Sequence, residues 1–154
     1  MNLPQDIGFK VPDILLPKTD IDPKKWAVIA CDQFTSEPEY WQKVDEIVGN
    51  SPSTYHMILP EVYLETPEED KRLASTQEAM RQYLKSRLFQ EVDDLVYVLR
   101  EIDGHYRKGL MVCLDLEQYD YNKGAQTLTR ATERTILDRL PPRIRIREKA
   151  ALEL

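Results

Sequence analysis

Apolar residues recur at helical spacing in two stretches of the chain. Over residues 37–48, Tyr40, Trp41, Val44, Ile47 and Val48 form one stripe, the pattern of a helix with a single buried face. Ser36 with Glu39 three residues on predicts a capping box at its start, with Pro38 tolerated in the first turn. Gly49 predicts its end, because glycine accepts the positive φ of a helix stop. Over residues 67–87, Leu73, Met80 and Leu84 recur with Tyr83 and Leu88 beside them, predicting a longer helix with one charged face. Thr66 and Glu69 form its capping box, with Pro67 at the first helical position.

Short apolar runs without that spacing predict strands. Residues 26–30, WAVIA, read as a buried strand, residues 54–59 as a second, and residues 62–64 as a further extended piece. Residues 94–102 and 106–116 flank Asp103-Gly104, which predicts a β-hairpin. LVYVL and LMVCL lack clean alternation, so both hairpin faces are expected to be covered. Pro4, Pro12, Pro17 and Pro23 exclude a long helix from the first 24 residues and leave room for a short strand at 14–16. Residues 120–124 read as a loop and 132–140 as a short helix. Pro141-Pro142 breaks that helix, and residues 143–154 follow as a second helix or an extended arm. The fold class expected is α+β: a mixed sheet of residues 26–30, 54–59 and the hairpin, with two main helices packed on it.

With 154 residues, the chain reads as a single domain, long enough to bury a core without a metal or disulfide. No apolar run approaches the about 20 residues that span a bilayer, and no signal peptide is evident. Cys31 and Cys113 lie far apart, and a reducing cytoplasm is the simpler reading of them. A net charge of −6 argues against general binding to nucleic acid, which depends on neutralising phosphates.

Charge is distributed unevenly. Residues 127–149 hold Arg130, Arg134, Arg139, Arg143, Arg145, Arg147 and Lys149 against Glu133, Asp138 and Glu148. Seven basic and three acidic residues give this segment +4, which leaves −10 on the rest of the chain. Such a segment suits an anionic ligand or acidic neighbours in the same fold. Arginine favours the first use, since its planar fork recognises phosphate or carboxylate in a bidentate manner.

A second candidate is the turn at residues 31–36. It follows the expected strand directly and leads into a helix start, where free N–H groups favour an anion. Thr35 and Ser36 are the expected ligand contacts there, and Asp32 the acid/base group, against its ordinary use in turn hydrogen bonding. Cys31 is weighed as a nucleophile against the commoner role of a small buried hydrophobe. His56 and His105 show no metal-ligand spacing, and P-loop, dinucleotide and hydrolase-elbow motifs are absent.

Three segments carry a family resemblance. WAVIACDQFTSEPEYW, NSPSTYHMILPEVYL, and TERT followed by DR and REKA resemble a bacterial and archaeal family, domain of unknown function 1015. The likeness covers nearly the whole chain, and the TERT–REKA part is its most distinctive portion. Two departures stand out. Thr132 occupies the place where many relatives have a His before Glu-x-Thr. The family's proteins are also longer, so the resemblance implies an N-terminal fragment. A more distant similarity is to ParB/sulfiredoxin-like folds, some of which bind nucleotides.

Two classes of function follow. In the first, a cytoplasmic protein binds a phosphorylated or carboxylated small molecule between the 31–36 turn and the arginine segment. Arg130, Arg134, Arg139 and Arg143 join Thr35 and Ser36 as ligand contacts. Any chemistry, for example phosphoryl transfer, falls to Asp32 and Glu133. In the second, a non-catalytic module uses the arginine segment to dock an acidic partner or the missing C-terminal part of the chain. No metal or cofactor is specified. Neither nucleic acid nor membrane is an expected partner, and self-association is left open.

Overall fold

The computed structural model describes residues 8–127, 129, 130, 136, 137 and 140–154, with Arg130 described by its backbone only. The fold is α+β. Its strands are β1 (Phe9–Lys10), β2 (Ile14–Pro17), β3 (Phe89–Val92), β4 (Tyr97–Ile102), β5 (His105–Leu110), β6 (Cys113–Leu114), β7 (Tyr119–Asp120) and β8 (Thr129–Arg130). Its helices are α1 (Pro23–Trp26), α2 (Pro38–Val48), α3 (Glu69–Lys85) and α4 (Leu140–Arg147). Among the described residues the strands form four two-stranded pairs, β1–β6, β2–β3, β4–β5 and β7–β8, where one mixed sheet was expected.

The chain divides into two compact units, one of Met1–Leu16 with Glu91–Arg134, the other of Pro17–Gln90 with Thr135–Leu154. In the first, β1 and β6 pair antiparallel and β7 and β8 pair parallel. The hairpin forms as its turn predicts. Asp103 and Gly104 both take positive φ, 51° and 76°, the geometry a two-residue hairpin turn of matching twist requires. Tyr97 pairs with Leu110 and each residue inward follows in register to Ile102 with His105. Every residue of both strands is exposed, so the expected cover over both faces is absent from the described residues. The alternation looked for along one strand is lost because apolar side chains occupy both faces.

The second unit holds the core: Trp41, Val48, Tyr55, Leu59 and Tyr63, with Tyr40, Val44 and Ile146 packed against them. Trp41 is wholly buried and its ring stacks on Tyr55. Helix α2 takes nearly the expected span. Its N-cap is Glu37, without a side-chain bond, so Ser36 does not cap it. Gly49 ends it at φ 53° and donates to the Asp45 carbonyl. Helix α3 starts two residues later than expected. Thr66 Oγ1 accepts the Glu68 N–H, while the Glu69 carboxylate reaches back to the Glu65 N–H. The reciprocal bonds of a capping box are thus present in shifted form, each displaced by one residue.

Two expected strands are not strands. Residues 26–30 contain the end of α1, nucleated by Pro23 at the first position and by Asp22, whose side chain accepts the Lys24 N–H. The remaining apolar residues run without a ladder partner. Side chains serve this backbone instead: Ser53 Oγ and Thr54 Oγ1 both donate to the Trp26 carbonyl, at 3.2 and 2.8 Å. Thr54–Met57 is a 3₁₀ turn capped by Ser53, whose Oγ accepts the Tyr55 N–H. Glu61–Tyr63 is a second 3₁₀ turn. In the first, local side-chain bonds outweigh β propensity; the second follows Pro60 and has no side-chain cap. Pro141 and Pro142 fall in the first turn of α4, where a missing N–H costs nothing. RIRIR is therefore helical, and the expected helix over 132–140 lies mostly outside the described residues.

Candidate functional site

Helix α4 lies along the acidic side of the second unit. Its arginines meet carboxylates in order: Arg143 Nη2 sits 3.4 Å from Glu61 Oε1, Arg145 bonds Glu69 and Asp70, and Arg147 bonds Glu153. These arginines are largely exposed, so solvent screens each pair and it adds little to stability. The helix is held in place more firmly from beneath. Gln77, which is 7% exposed, donates through Nε2 to the carbonyls of Arg145 at 2.8 Å and Ile146 at 3.1 Å.

Between α4 and residues 30–32 a cleft of about 320 Å³ opens. Its floor is apolar, with Met57, Leu59, Met80 and Ile146 among the lining. Its polar rim brings Asp32 together with Arg143, Arg147 and Glu153. The turn carrying Asp32 is pinned by a bond from the Glu61 N–H to the Cys31 carbonyl, 2.8 Å. Glu61 thus fixes the turn through its backbone and meets Arg143 through its side chain.

Cys31 lines the same cleft. Burial pushes its thiol up, the Asp32 and Glu61 carboxylates push it further, and Arg143 opposes them without prevailing. A thiol held protonated in this way is a poor nucleophile at neutral pH. Both Cys31 and Cys113 are free thiols.

Of the residues expected to form a site, Asp32 and Arg143 share this cleft. Thr35 and Ser36 sit on the exposed turn before α2, outside its lining. Arg130 is in β8 of the other unit, its backbone paired with Asp120. Glu133, Arg134 and Arg139 lie outside the described residues. Sequence reasoning missed Gln77, Glu61 and Glu153. For Gln77 the only signal was a polar residue on the otherwise apolar face of α3.

A second cleft, about 370 Å³, lies beside α3 and is lined by Asp45, Tyr55, Glu68, Lys71 and Arg72 among others. The Arg72 guanidinium sits 3.5 Å over the Tyr63 ring. Its Nε bonds Glu68 at 2.8 Å and its Nη1 reaches Tyr55 Oη at 3.4 Å. Burial pushes the Tyr55 phenol up to about 12, although the Arg72 bond opposes it. His56 is also structural: Tyr83 Oη lies 2.7 Å from Nδ1 and the Gly49 carbonyl 3.1 Å from Nε2. The carbonyl can only accept, so Nε2 carries the proton and the tyrosine donates to Nδ1. Among the described residues no group of three or more His, Cys, Asp or Glu could hold a metal ion. Nor is any described helix long and apolar enough to cross a membrane.

This arrangement belongs to a family defined by its sequence pattern rather than by a known reaction. The family described as Protein of unknown function (DUF1015) matches residues 15–154. The chain is a member of that family, as the three sequence segments implied. No curated protein and no solved structure matches it.

Proposed function

We propose that the cleft between residues 30–32 and α4 binds an anionic small molecule, phosphorylated or carboxylated, with an apolar body. One observation carries this reading: Asp32 and Arg143, more than a hundred positions apart in sequence, line one concave site over an apolar floor. A guanidinium has five donors, and among the described residues the side chain of Arg143, half exposed, meets a carboxylate only at Glu61, at 3.4 Å. The remaining donors suit a ligand's oxygens, and Met57, Leu59 and Met80 suit its carbon skeleton. Phosphoryl transfer at this cleft would use Arg143 to stabilise charge and Asp32 to handle the proton.

The competing reading is an interaction module. It is favoured by Arg147 of the basic segment, whose side chain stays 67% exposed and so is open to an acidic partner.

A thermal-shift screen against nucleotides, sugar phosphates, phospho-amino acids and dicarboxylates separates the two. A ligand at a hundred times its dissociation constant stabilises by about 2.7 kcal/mol. The expected result is a stabilising compound whose shift is lost in Arg143→Ala while the ligand-free melting point moves little. A folded protein stabilised by none of these classes, or by a compound indifferent to Arg143→Ala, overturns the proposal.

A further inference from the structure

The hairpin β4–β5 presents two chemically different faces. Directly opposed residues in an antiparallel pair share a face. One face carries Tyr97 opposite Leu110, Leu99 opposite Lys108, and Glu101 opposite Tyr106. The other carries Val98 opposite Gly109, Arg100 opposite Arg107, and Ile102 opposite His105. On the first face Tyr97 is 55% exposed, Leu99 56%, Tyr106 61% and Leu110 57%. A two-stranded hairpin is at best marginally stable alone in water. Four large apolar side chains gathered on one face form a patch of the kind that marks a contact surface.

We propose that the occupant of this face is the same face of a second copy of the chain. Charge complementarity carries the choice. The apolar face holds one carboxylate, Glu101, and one ammonium, Lys108, on adjacent rows of the ladder. Neither forms an ion pair among the described residues. A two-fold axis makes a contact isologous, so a residue that meets a second residue of the partner is matched by the same pair in reverse, and one Glu101–Lys108 pairing is formed twice. It brings Glu101 of one copy near Lys108 of the other, with Leu99 of both at the centre. The opposite face cannot self-pair in this way: it would gather two copies each of Arg100 and Arg107 with no acid between them. Stable interfaces bury about 800 Å² per partner. Two tyrosines and two leucines supply only part of that, so the dimer is concentration-dependent rather than obligate.

Sedimentation velocity on the full chain over a micromolar-to-submillimolar series tests this. The expected result is a shift from one to two chain masses as concentration rises. Leu99→Glu and Tyr106→Glu should remove that shift and leave the circular dichroism unchanged. Glu101→Lys should weaken the dimer several-fold and Glu101→Lys/Lys108→Glu should restore it, which decides the matter even where the apolar variants fold poorly. Arg100→Glu, on the other face, should leave the dissociation constant unchanged. A wild-type protein that stays monomeric throughout, or a dimer indifferent to the variants of the apolar face, overturns the proposal and assigns the face to a different partner.

Discussion

Gln77 gives the most demanding test of how α4, one wall of the cleft, is held. The last turn of a helix leaves carbonyls without intrahelical partners. In α4, the Glu148 N–H takes the Ile144 carbonyl and the Ala150 N–H takes that of Arg147. The two between, Arg145 and Ile146, are taken by the two protons of the Gln77 amide. Gln77→Leu keeps the bulk and removes both bonds. At about 1 kcal/mol each, the loss is about 2 kcal/mol. Gln77→Glu keeps the shape but turns an acceptor toward two acceptors. It also adds negative charge at the negative end of the helix, worth about 0.3–1 kcal/mol more. The total is about 3 kcal/mol, or a fall of roughly 10 °C in Tm for a chain of this size. Differential scanning calorimetry reads the fall. Amide exchange should locate its origin, with protection lost first in residues 144–150. Lowering the pH should narrow the gap for Gln77→Glu, because a protonated carboxyl regains a donor. If both variants melt within about 0.5 kcal/mol of the wild type, Gln77 does not anchor α4 and the ion pairs on its outer face must be reconsidered.

Two further outcomes are expected. Tyr83→Phe keeps the ring contact with Trp26 but removes the oxygen that accepts the N–H of fully buried Ser53. It should cost about 1–3 kcal/mol in urea unfolding, and an unchanged midpoint would mean that water replaces the hydroxyl. For Tyr55, a free tyrosine ionises near about 10 while the folded group does so at about 12. Between these values the folded state holds the extra proton, so this contribution to stability is complete below pH 10 and is lost as pH rises toward 12. Tyr55→Phe should flatten the alkaline limb of a melting-point profile; a limb of the same slope in both proteins would place the alkaline sensitivity elsewhere.

The elements that the sequence made legible are those fixed by local chemistry. Asp103-Gly104 specifies a turn that few other pairs adopt, and the hairpin follows in register. Trp41, Val44 and Val48 with a terminal Gly49 specify α2 almost to the residue. What misled was apolarity without context. The run at 26–30 is as apolar as a buried strand, but among the described residues no strand pairs with it. The Asp22-Pro23 pair just before it is a helix-start signal that outranks the run. The 3₁₀ turn at Thr54–Met57 is equally a consequence of Ser53, whose buried side chain bonds forward to Tyr55 and across to Trp26. At the site, Asp32 and Arg143 were legible as types, because a carboxylate in a turn and an arginine in a basic segment each suggest chemistry. Their partners were not. That Glu61 rather than any other acid meets Arg143 depends on two 3₁₀ turns that β propensity obscures.

Trp41 has a consequence for optical spectroscopy. Its indole Nε1–H donates to the Gln33 carbonyl at 3.3 Å, one residue beyond Asp32 at the rim of the cleft. The only other tryptophan is Trp26. A Trp26→Phe protein therefore carries a single tryptophan, which can be excited apart from the tyrosines at the red edge of absorption, is shielded from water and is tied by one hydrogen bond to the cleft-lining turn. Movement of that turn on loading would register as a change in emission from the native chain, with no label attached.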